Sequence, residues 1–403
     1  MQKIRQFLSL CFAVLMVLGG NLSVRAENET VGTAPETTKS ETLPDMGVEE
    51  GSLHLDCKSA ILMEASTGTV LYAQNAAEAL PPASVTKIMT LLLVMEAVDA
   101  GTVHLEDPVT VSANAASMGG SQVFLKEGEQ MPLEEMLKCV VIASANDAAV
   151  ALAEYLAGSV NAFVEKMNAK ARELGMSATL FENCTGLDDT AERHLTSARD
   201  IALMSRALIS HKTILKYSSI WMDTIRDGAF GLTNTNRLVR FYPGCTGLKT
   251  GSTSKAGFCV SVTAERDGFS LICVVMGAAS RDIRNGIATE LLDWGFANYG
   301  IFHAEAGKTE PIPVTGGTKP SVPAGYPAFS CVLSKTELKN VRAELQLPDT
   351  LAAPVKAQQE IGTVIYSAGG KTIGTVPVQA TEEIGQIGFF EIFRRMLAKF
   401  LLI

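Results

Sequence analysis

The sequence has few histidines, and none of its cysteines is spaced as in a zinc site or a disulfide framework. Its eight cysteines form no Cys-x-x-Cys pair, the arrangement that supplies two ligands to many zinc sites. Of the five histidines, only His194 lies near the polar motifs described below. A histidine-based triad or a zinc centre therefore has little support, and we expect neither a metal nor another cofactor.

Charged residues are also scarce, and basic residues are the minority among them. Asp, Glu, Lys and Arg make up 19% of the 403 residues, which is low for a cytosolic protein, and the formal net charge is −9. Because an acidic protein is a poor partner for a polyanion, we expect no nucleic-acid binding. The hydrophobic content of 47% is sufficient for sizeable cores, and the length indicates two or three domains.

The N-terminus lacks an apolar run long enough to favour a membrane span, but it has the organisation of a secretory signal. Lys3 and Arg5 precede the apolar stretch Phe7–Leu18, and Val24-Arg-Ala26 forms a small-residue cleavage site. We therefore predict a signal peptide over residues 1–26 and an exported protein. A retained membrane anchor is the alternative.

The rest of the chain divides by composition into four parts. Residues 27–52 are rich in Glu, Thr and Pro, which predicts a disordered acidic linker. Residues 53–300 contain apolar strands and apolar helices. Residues 301–380 have short β-rich runs among many Pro and Gly residues, which predicts a small all-β domain. Residues 384–403 return to a helical composition.

Strand and helix signals within residues 53–300 predict an α/β (α+β) fold. Two strands joined by a turn lead into the first helix, and two further strands joined by a turn precede the last helix. Strands at both ends around a helical middle indicate a sandwich whose sheet combines the first and last thirds of this region. The predicted strands are Cys57–Glu64, Thr69–Ala73, Trp221–Arg226, Phe258–Glu265 and Phe269–Gly277. The predicted helices are Ile88–Ala97, Leu133–Ala143, Ala148–Gly158, Val160–Leu174, Ser197–Ile209 and Arg281–Tyr299.

The C-terminal segment, residues 384–403, has an amphipathic pattern. At 100° per residue its charged side chains, Glu391, Arg394, Arg395 and Lys399, fall within an arc of about 140°, and apolar side chains fill the remainder. Four charges in the middle disfavour a spanning helix, whereas a helix lying in the membrane interface has this pattern. We expect the membrane surface to be its partner. A helix packed against its own protein is the alternative.

The stretch Pro81–Gly101 combines a candidate nucleophile with a candidate base. Ser84 follows two prolines and favours a helix start, and Lys87 lies three residues later on the same face of the first turn. If burial keeps the lysine amine neutral, the amine can take the proton of the serine hydroxyl. The alternative is that Ser84 is a helix cap and Lys87 a surface charge. A second Ser-x-x-Lys sequence, Ser252–Lys255, shows that the motif alone is not specific.

Three short polar motifs follow one another along the chain: Ser84-x-x-Lys87, Ser144-x-Asn146 and Lys249-Thr-Gly251. Each motif is a weak signal alone. Their joint occurrence in this order, with spacings of 60 and about 100 residues, is a strong signal. The set is typical of penicillin-binding proteins and class A β-lactamases.

Residues 53–300 resemble the serine-type D-alanyl-D-alanine carboxypeptidases, a family of low-molecular-mass penicillin-binding proteins. The resemblance implies a β-lactamase/transpeptidase-like sandwich with a helical subdomain, a β-rich stalk domain and an amphipathic anchoring helix. One departure is Ala145, where the family usually has glycine. The segments that carry the resemblance are Pro82-Ala-Ser-Val-Thr-Lys-Ile-Met-Thr90, Ser144-Ala-Asn-Asp-Ala148, Asn183-Cys-Thr-Gly-Leu-Asp188, Thr196-Ser-Ala-Arg-Asp200, Asn234-Thr-Asn-Arg-Leu238 and Gly247-Leu-Lys-Thr-Gly-Ser-Thr-Ser-Lys-Ala-Gly257.

The resemblance implies catalytic roles for the polar residues of the first two motifs. Ser84 attacks the penultimate carbonyl of a peptidoglycan stem peptide ending in D-Ala-D-Ala and forms an acyl-enzyme. Lys87 is its base, while Ser144 and Asn146 relay a proton and hold the substrate amide. The amides of Ser84 and Ser252 form the oxyanion hole.

The resemblance implies substrate binding by the third motif. Lys249, Thr250, Gly251 and Ser252 line the site, with the first two facing the substrate carboxylate. Arg284 resembles the carboxylate-binding arginine of the family, and a solvated helix residue is the alternative. A further polar set is expected to hold together the loop between helices: Asn183, Asp188, His194 and Arg199.

The predicted function is removal of the terminal D-alanine from stem peptides, which limits cross-linking, at the outer face of the cytoplasmic membrane or in the cell wall. The resemblance also implies acylation by β-lactam antibiotics. A class A β-lactamase would need a Glu-x-x-Leu-Asn segment between Asn146 and Lys249, and the sequence has none there. Two further functions compete with the carboxypeptidase: a peptidoglycan DD-endopeptidase and a catalytically silent cell-wall scaffold.

Overall fold

The computed structural model describes Leu53 and residues 55–188 and 191–401. The predicted signal peptide, residues 1–26, and the predicted acidic linker, residues 27–52, lie outside the described residues. The described chain forms a mixed region of helices and strands, followed by a β-rich region and a C-terminal helix.

A five-stranded antiparallel sheet forms the centre of the mixed region. Two strands from the start of the region lie beside three from its end, with Leu62 opposite Cys273. This arrangement confirms the prediction that the first and last thirds share one sheet. From edge to edge the strands are Val70–Gln74, Ser59–Glu64, Phe269–Ala278, Gly257–Arg266 and Cys245–Thr253.

The sheet separates two hydrophobic cores, because successive side chains of a strand point to opposite faces. Ile61 and Met63 pack in the core shared with the helical subdomain, whereas Ala60 and Leu62 pack in the core beneath the helix Arg281–Asn298. Burial of each large aliphatic side chain contributes about 1.5–3 kcal/mol relative to exposure. The fold is therefore a sheet with helices on both faces.

Several helix ends in this subdomain have capping residues. The side chains of Ser159 and Ser197 accept hydrogen bonds from backbone N–H groups in the first turns that follow them. Gly158 ends its helix with a left-handed φ of 76°. The helices are Lys87–Asp99, Ala113–Ala116, Leu133–Ile142, Asn146–Ala157, Val160–Glu173, Ala198–Ser210, Lys212–Ser218 and Leu238–Phe241.

The start of the first helix differs from the sequence prediction. The α-helix begins at Lys87, and Ala83–Thr86 form a turn of 3₁₀ helix before it, so Ser84 lies within that turn and does not cap the helix.

The helix Lys212–Ser218 was not expected from the sequence. Two small hairpins, of which the sequence indicated only the strand near residue 222, pair Pro108–Thr110 with Gln130–Pro132 and Met222–Ile225 with Phe230–Thr233.

The β-rich region contains one short helix, Lys335–Leu338, and has its own core. Val364 and Val378 are buried in it, and the ring of Phe329 stacks on that of Tyr366 with 4.8 Å between ring centroids. The strands are Tyr299–Ala304, Gly307–Lys308, Ile312–Thr315, Ser321–Val322, Ala324–Tyr326, Phe329–Ser334, Val341–Gln346, Leu351–Ala352, Glu360–Ala368 and Lys371–Ala380.

The C-terminal helix, Phe389–Leu401, starts later than residue 384, where the sequence analysis placed the beginning of this segment. Ile384 is fully buried in the core of the β-rich region, and its backbone exchanges two hydrogen bonds with Val355. Residues around 384 therefore belong to the β-rich region, because their burial and pairing fix them there.

Large apolar side chains of this C-terminal helix are exposed. Phe390 is 87% exposed and Phe400 is 86% exposed, and Phe389, Phe393 and Met396 are also open to solvent. Glu391 and Arg394 form an ion pair one turn apart. Among the helices within residues 55–188 and 191–401, none has the length and apolar character that a membrane span requires.

Candidate active site

The 3₁₀ turn Ala83–Thr86 brings the candidate nucleophile and the candidate base together. Side chains three residues apart are aligned in a 3₁₀ turn, and Lys87 Nζ lies 2.9 Å from Ser84 Oγ. The turn is at the beginning of the first helix, where backbone N–H groups have no partner within the helix. Ser84 therefore places its hydroxyl next to the Lys87 amine, and its backbone N–H can donate a hydrogen bond to an anion.

The Lys87 amine is buried and contacts three oxygen atoms. Besides Ser84 Oγ, it donates to Asn146 Oδ1 at 2.6 Å and to Thr185 O at 2.8 Å. Burial lowers the pKa of Lys87 to about 7, with smaller opposing effects from Cys184 and Asp147. Because the amide and carbonyl oxygens only accept, a neutral amine donates to these two and offers its lone pair to the Ser84 hydroxyl. The site can therefore hold this lysine in the form that acts as a base.

Ser144 and Asn146 are presented to the site by the connection between two helices. Ser144 has a left-handed φ of 63°, and within the described part of the chain its hydroxyl makes no hydrogen bond with another residue. Asn146 donates through Nδ2 to Gly119 O at 2.7 Å while its Oδ1 accepts from Lys87. The amide orientation is thus fixed, and the Ser144 hydroxyl is left for a substrate.

The Lys-Thr-Gly motif lies on the edge strand Cys245–Thr253, beside the 3₁₀ turn. A Cβ atom on Gly251 would lie 2.7 Å from Ser84 N, so only glycine allows the strand to approach this closely. Lys249 is buried and donates to Thr250 O at 2.8 Å. Burial, together with the charges of Lys87 and Arg284, holds the pKa of Lys249 well below its usual range.

Arg284 is a buried residue in the wall of the cleft and not a solvated helix residue. Its Nη1 donates to Cys259 O at 3.2 Å, and its Nε and Nη2 donate to Asn285 Oδ1. Burial, with a smaller contribution from Arg281, lowers the pKa of Arg284 to about 10. It remains a cation near neutral pH, with no carboxylate partner among the described residues.

A cleft of about 690 Å³ joins these groups. The structure brings together all nine residues that were assigned to the site from the sequence. Lys87 contacts both Ser84 and Asn146, and Lys249 lies close enough to Lys87 for the charge of Lys87 to lower its pKa. Six of the nine line the cleft: Ser84, Ser144, Thr250, Gly251, Ser252 and Arg284. The remaining lining residues had no assigned role: Ser121, Trp221, Thr233, Asn234, Thr235, Arg237, Phe241, Phe258 and Arg281.

Some of these additional residues could have been found from the sequence. Thr235 and Arg237 lie within a segment that carried the resemblance, and Thr235 Oγ1 accepts a hydrogen bond from Thr250 Oγ1 at 2.8 Å. Arg281 precedes Arg284 by three residues, the spacing of neighbours on one helix face. The aromatic lining has no comparable signal, because Trp221, Phe241 and Phe258 come from different elements that only the tertiary fold brings to one cleft.

The loop at residues 183–188 connects the base to the Lys-Thr-Gly strand. Asn183 Oδ1 accepts from Gly186 N at 2.7 Å, and this turn presents Thr185 O to Lys87. Asp188 accepts from Thr253 Oγ1 at 2.6 Å, and Lys255 Nζ donates to Asp188 O at 2.8 Å. The lysine of the second Ser-x-x-Lys sequence therefore holds a loop and has no contact with a nucleophile.

The site defines a class of enzyme. A serine hydroxyl next to a buried amine can form an acyl-enzyme. Backbone N–H groups at the adjacent helix start and strand edge can stabilise the oxyanion that precedes it. Among residues 55–188 and 191–401, no group of three or more His, Cys, Asp or Glu side chains is arranged to hold a metal ion. In such an arrangement a serine can act as the nucleophile of a hydrolase and a lysine can act as its base.

Comparison with known proteins identifies the family. Residues 46–280 match the family model of the D-alanyl-D-alanine carboxypeptidases, and residues 302–386 match that of the C-terminal domain of penicillin-binding protein 5. The chain belongs to the D-alanyl-D-alanine carboxypeptidase family. It is therefore a serine carboxypeptidase, a hydrolase that acts on peptidoglycan outside the cytoplasm.

Individual relatives cover most of the chain. It is 41% identical to the D-alanyl-D-alanine carboxypeptidase DacF of Bacillus subtilis, over 87% of this chain and 92% of the relative. It is 36% identical to DacC of Escherichia coli, over 83% of this chain and 86% of the relative. The crystal structure of penicillin binding protein 5 from Haemophilus influenzae matches 83% of this chain and 99% of its own, with 31% identity and a TM-score of 0.74. The sandwich and β-rich domain predicted from the sequence are thereby confirmed.

Proposed function

We propose that this chain is an exported, membrane-associated D-Ala-D-Ala carboxypeptidase that removes the terminal D-alanine from peptidoglycan stem peptides through an acyl-enzyme on Ser84. The contact between the buried Lys87 Nζ and Ser84 Oγ in the wall of the cleft, at 2.9 Å, carries this proposal. Removal of the last D-alanine leaves a stem peptide that cannot donate an acyl group to a cross-link, so the enzyme limits cross-linking.

Acylation uses the two states of the Lys87 amine. Neutral Lys87 accepts the proton of the Ser84 hydroxyl as Oγ bonds to the penultimate carbonyl carbon. The resulting oxyanion is stabilised by the N–H groups of Ser84 and Ser252. The carbon–nitrogen bond to D-alanine then breaks, and Lys87 passes its proton through the Ser144 hydroxyl to the leaving amine, which returns Lys87 to its neutral form. The Ser144 hydroxyl makes no hydrogen bond with another described residue that would compete with this relay.

Deacylation reuses the same groups for water. Lys87 takes a proton from the attacking water, the water oxygen bonds to the acyl carbon, and the bond to Ser84 Oγ breaks as the proton returns to it. Asn146 Oδ1 accepts from Lys87 throughout, at 2.6 Å, so the amine keeps its orientation in both protonation states. The products are D-alanine and a shortened stem peptide, with the enzyme restored.

The carboxylate of the terminal D-alanine binds at the Lys-Thr-Gly strand. The Thr250 hydroxyl, the neighbouring Ser252 and the Arg284 guanidinium line one part of the cleft. Arg284 supplies a permanent cation, which suits a carboxylate. Lys249 is buried behind them and contributes to the positive potential of the site when protonated.

The same nucleophile is expected to react with β-lactam antibiotics, whose strained amide carbonyl would occupy the position of the penultimate carbonyl. A solved relative, penicillin-binding protein D2 from Listeria monocytogenes, has been crystallised in an ampicillin-bound form and is 33% identical over 60% of this chain. The drug would remain attached to Ser84 as a covalent ester.

The exposed apolar side chains of the helix Phe389–Leu401 support attachment to a membrane surface. Deletion of residues 389–403 is expected to release the enzyme from sedimenting vesicles of mixed neutral and anionic lipid, with D-alanine release unchanged, because the active site shares no residue with this helix. The deletion must spare Ile384, which is buried in the β-rich core. A full-length F390E/F393E double variant tests the apolar side chains without removing the helix, and it should also lose vesicle binding. Vesicle binding that survives both changes would contradict the anchor.

A second candidate activity is cleavage of peptide cross-links at the same serine. Arg237 and Arg281 line the cleft and are exposed, and neither side chain makes a hydrogen bond or an ion pair with another described residue. A terminal D-alanine brings one carboxylate, which Arg284 can take. The stem peptide that leaves on cleavage of a cross-link is larger and carries more carboxylates, for which these two free arginines offer additional partners.

A cross-linked muropeptide dimer and a pentapeptide can distinguish endopeptidase activity from carboxypeptidase activity. The R237A/R281A double variant is expected to reduce kcat/KM for a cross-linked muropeptide dimer about tenfold, while kcat/KM for a pentapeptide ending in D-Ala-D-Ala changes less than about twofold. Arg172→Ala, on an exposed helix remote from the cleft, is the control. Equal losses on both substrates would assign the arginines to general substrate binding, and no loss on the dimer would remove the endopeptidase argument.

A further inference from the structure

A chain of hydrogen bonds leads from His194 to the backbone at the nucleophile. Thr86 Oγ1 donates to Ala83 O at 2.8 Å, and His194 Nε2 lies 2.7 Å from the same Oγ1. His194 Nδ1 lies 3.0 Å from the N–H of Glu182. All the members of the chain between the ring and Ala83 are buried. The chain joins residues 108 positions apart in the sequence, and Lys87 takes no part in it.

The direction of each hydrogen bond in this chain is fixed by one backbone donor. The N–H of Glu182 can only donate, so His194 Nδ1 accepts and carries no proton. Burial lowers the pKa of His194 to about 4, with smaller opposing effects from Glu182 and Asp188, so the ring is neutral near pH 7. A neutral ring without a proton on Nδ1 has it on Nε2, which then donates to Thr86 Oγ1. Thr86 passes its own hydrogen on to Ala83 O.

The chain of hydrogen bonds ends at the peptide group that contains the Ser84 amide. Ala83 C=O and Ser84 N–H belong to one planar trans peptide and point in opposite directions. Fixing the carbonyl on one side therefore fixes the direction of the N–H on the other side. That N–H is one of the two donors assigned above to the oxyanion hole.

This peptide group is held in an orientation that the backbone does not favour. Ala83 has a φ of +49°, a region that residues with a Cβ rarely occupy. Gly186 presses against its carbonyl side, where a Cβ would collide with Ala83 O and lie 2.8 Å from Thr86 Oγ1. Gly251 approaches from the other side, where a Cβ would lie 2.7 Å from Ser84 N. Such outliers persist where the surroundings determine them strongly.

We propose that Thr86 and His194 are positioning residues that aim the Ser84 N–H at the developing oxyanion by holding the carbonyl of the same peptide group. The inference rests on the proposed role of Ser84 as nucleophile. Neither side chain touches the substrate. Their effect belongs to the transition state, in which the oxyanion forms, and not to ground-state binding.

A purely structural role predicts a different outcome. The His194 ring also packs against Phe181, with 5.7 Å between ring centroids, so its loss would loosen the loop that follows. A loosened loop would lower the melting temperature and impair every function of the site in parallel. A misdirected N–H would instead lower kcat for peptide hydrolysis while leaving KM nearly unchanged.

Thr86 offers an isosteric test. Thr86→Val keeps the branched shape but removes both the donor to Ala83 O and the acceptor for His194, whereas Thr86→Ser keeps the hydroxyl. Removal of an oxyanion-hole donor costs about 10²–10³ in kcat, and misdirecting one should cost less. We therefore expect Thr86→Val to lower kcat for a D-Ala-D-Ala pentapeptide by about 10- to 100-fold, with KM within about twofold and Thr86→Ser within about threefold of the wild type.

His194 offers a matched pair of amide substitutions. The terminal amide of His194→Gln reaches the position of Nε2 and can still donate to Thr86 Oγ1. The shorter amide of His194→Asn occupies the position of Nδ1, where it can accept from the Glu182 N–H but cannot reach Thr86. We expect His194→Gln to keep several times more kcat than His194→Asn, even where their melting temperatures are equal.

A transition-state analogue gives an independent readout. A peptide boronic acid bonds to the serine as a tetrahedral adduct with an oxygen in the oxyanion hole, so its affinity should fall with kcat in Thr86→Val. Wild-type kcat and boronate affinity in folded Thr86→Val would overturn the inference, as would equal losses in Thr86→Ser and Thr86→Val or a change in KM alone. An active Ser84→Ala variant would instead refute the role of Ser84 itself, so the two failures are distinguishable.

Discussion

Lys87→Ala is expected to lower kcat/KM for D-alanine release by about 10²–10⁴-fold, the range that a general base contributes. The amine lies 2.9 Å from Ser84 Oγ, and among the described residues no other titratable side chain donates to or accepts from that hydroxyl. Without it, the serine has no group to take its proton. Lys87→Arg should be equally inactive, because a guanidinium stays protonated and cannot act as a base.

The measurement is steady-state release of D-alanine from a pentapeptide, with melting temperatures recorded for each variant. Lys166→Ala provides the control, since Lys166 is an exposed lysine on another helix. A folded Lys87→Ala protein that retains more than about a tenth of wild-type activity would show that another group is the base.

The pH profile of the wild type tests the same assignment without a substitution. Burial lowers the pKa of Lys87 to about 7, and only the neutral amine can accept the serine proton. The value of kcat/KM should therefore rise from acid pH, reach half its plateau near pH 7, and stay high above it. A half-rise near pH 4 to 5 would indicate a carboxylate in place of the lysine.

Ser84→Ala is expected to abolish hydrolysis, with a loss of at least about 10⁴-fold, because no oxygen remains to form the ester. The substitution removes one atom in a buried 3₁₀ turn and leaves the backbone N–H in place. The variant should therefore still bind the pentapeptide without turnover, as measured by calorimetry. Ser219→Ala, on an exposed helix end, is the control. Retained turnover in folded Ser84→Ala would require a different nucleophile.

The spacing of Ser84 and Lys87 suggested the pairing, the other motifs and the resemblance were needed to select it over a helix cap and a surface charge, and its geometry was not predicted. The sequence favours a helix after two prolines, and three-residue spacing places both side chains on one face. The first turn is 3₁₀, Ala83 in it has a positive φ, and Gly186 and Gly251 from distant segments lie against the peptide group between Ala83 and Ser84. The alignment that gives the 2.9 Å contact is therefore a tertiary effect.

The long-range members of the site came from the resemblance and not from pattern reasoning. Asn146 reaches Lys87 across 59 positions, and Thr185 O reaches it across 98. No periodicity in the sequence encodes such contacts. A backbone carbonyl such as Thr185 O carries no side-chain signal, and its role became visible only once the loop was folded.

His194 shows how a correct general expectation can miss a specific role. From the sequence we expected His194 to hold a loop, and its ring does accept a hydrogen bond from the Glu182 N–H. Its second contact, to Thr86, depends on a buried approach between two distant segments. Four of the five strands of the central sheet, by contrast, were predictable, because they are apolar runs at both ends of the region. The edge strand Cys245–Thr253 was not among the predicted strands, because its sequence is largely polar.

The most direct test of the central claim is mass spectrometry of the purified protein after brief incubation with benzylpenicillin. Opening of the β-lactam ring loses no atoms, so we expect the mass to increase by one intact drug molecule per chain. Proteolysis should assign that mass to the peptide containing Ser84, and Ser84→Ala should show no adduct. An adduct on Ser144 or Ser252, or none at all on the folded wild-type protein, would contradict the assignment of Ser84 as the nucleophile.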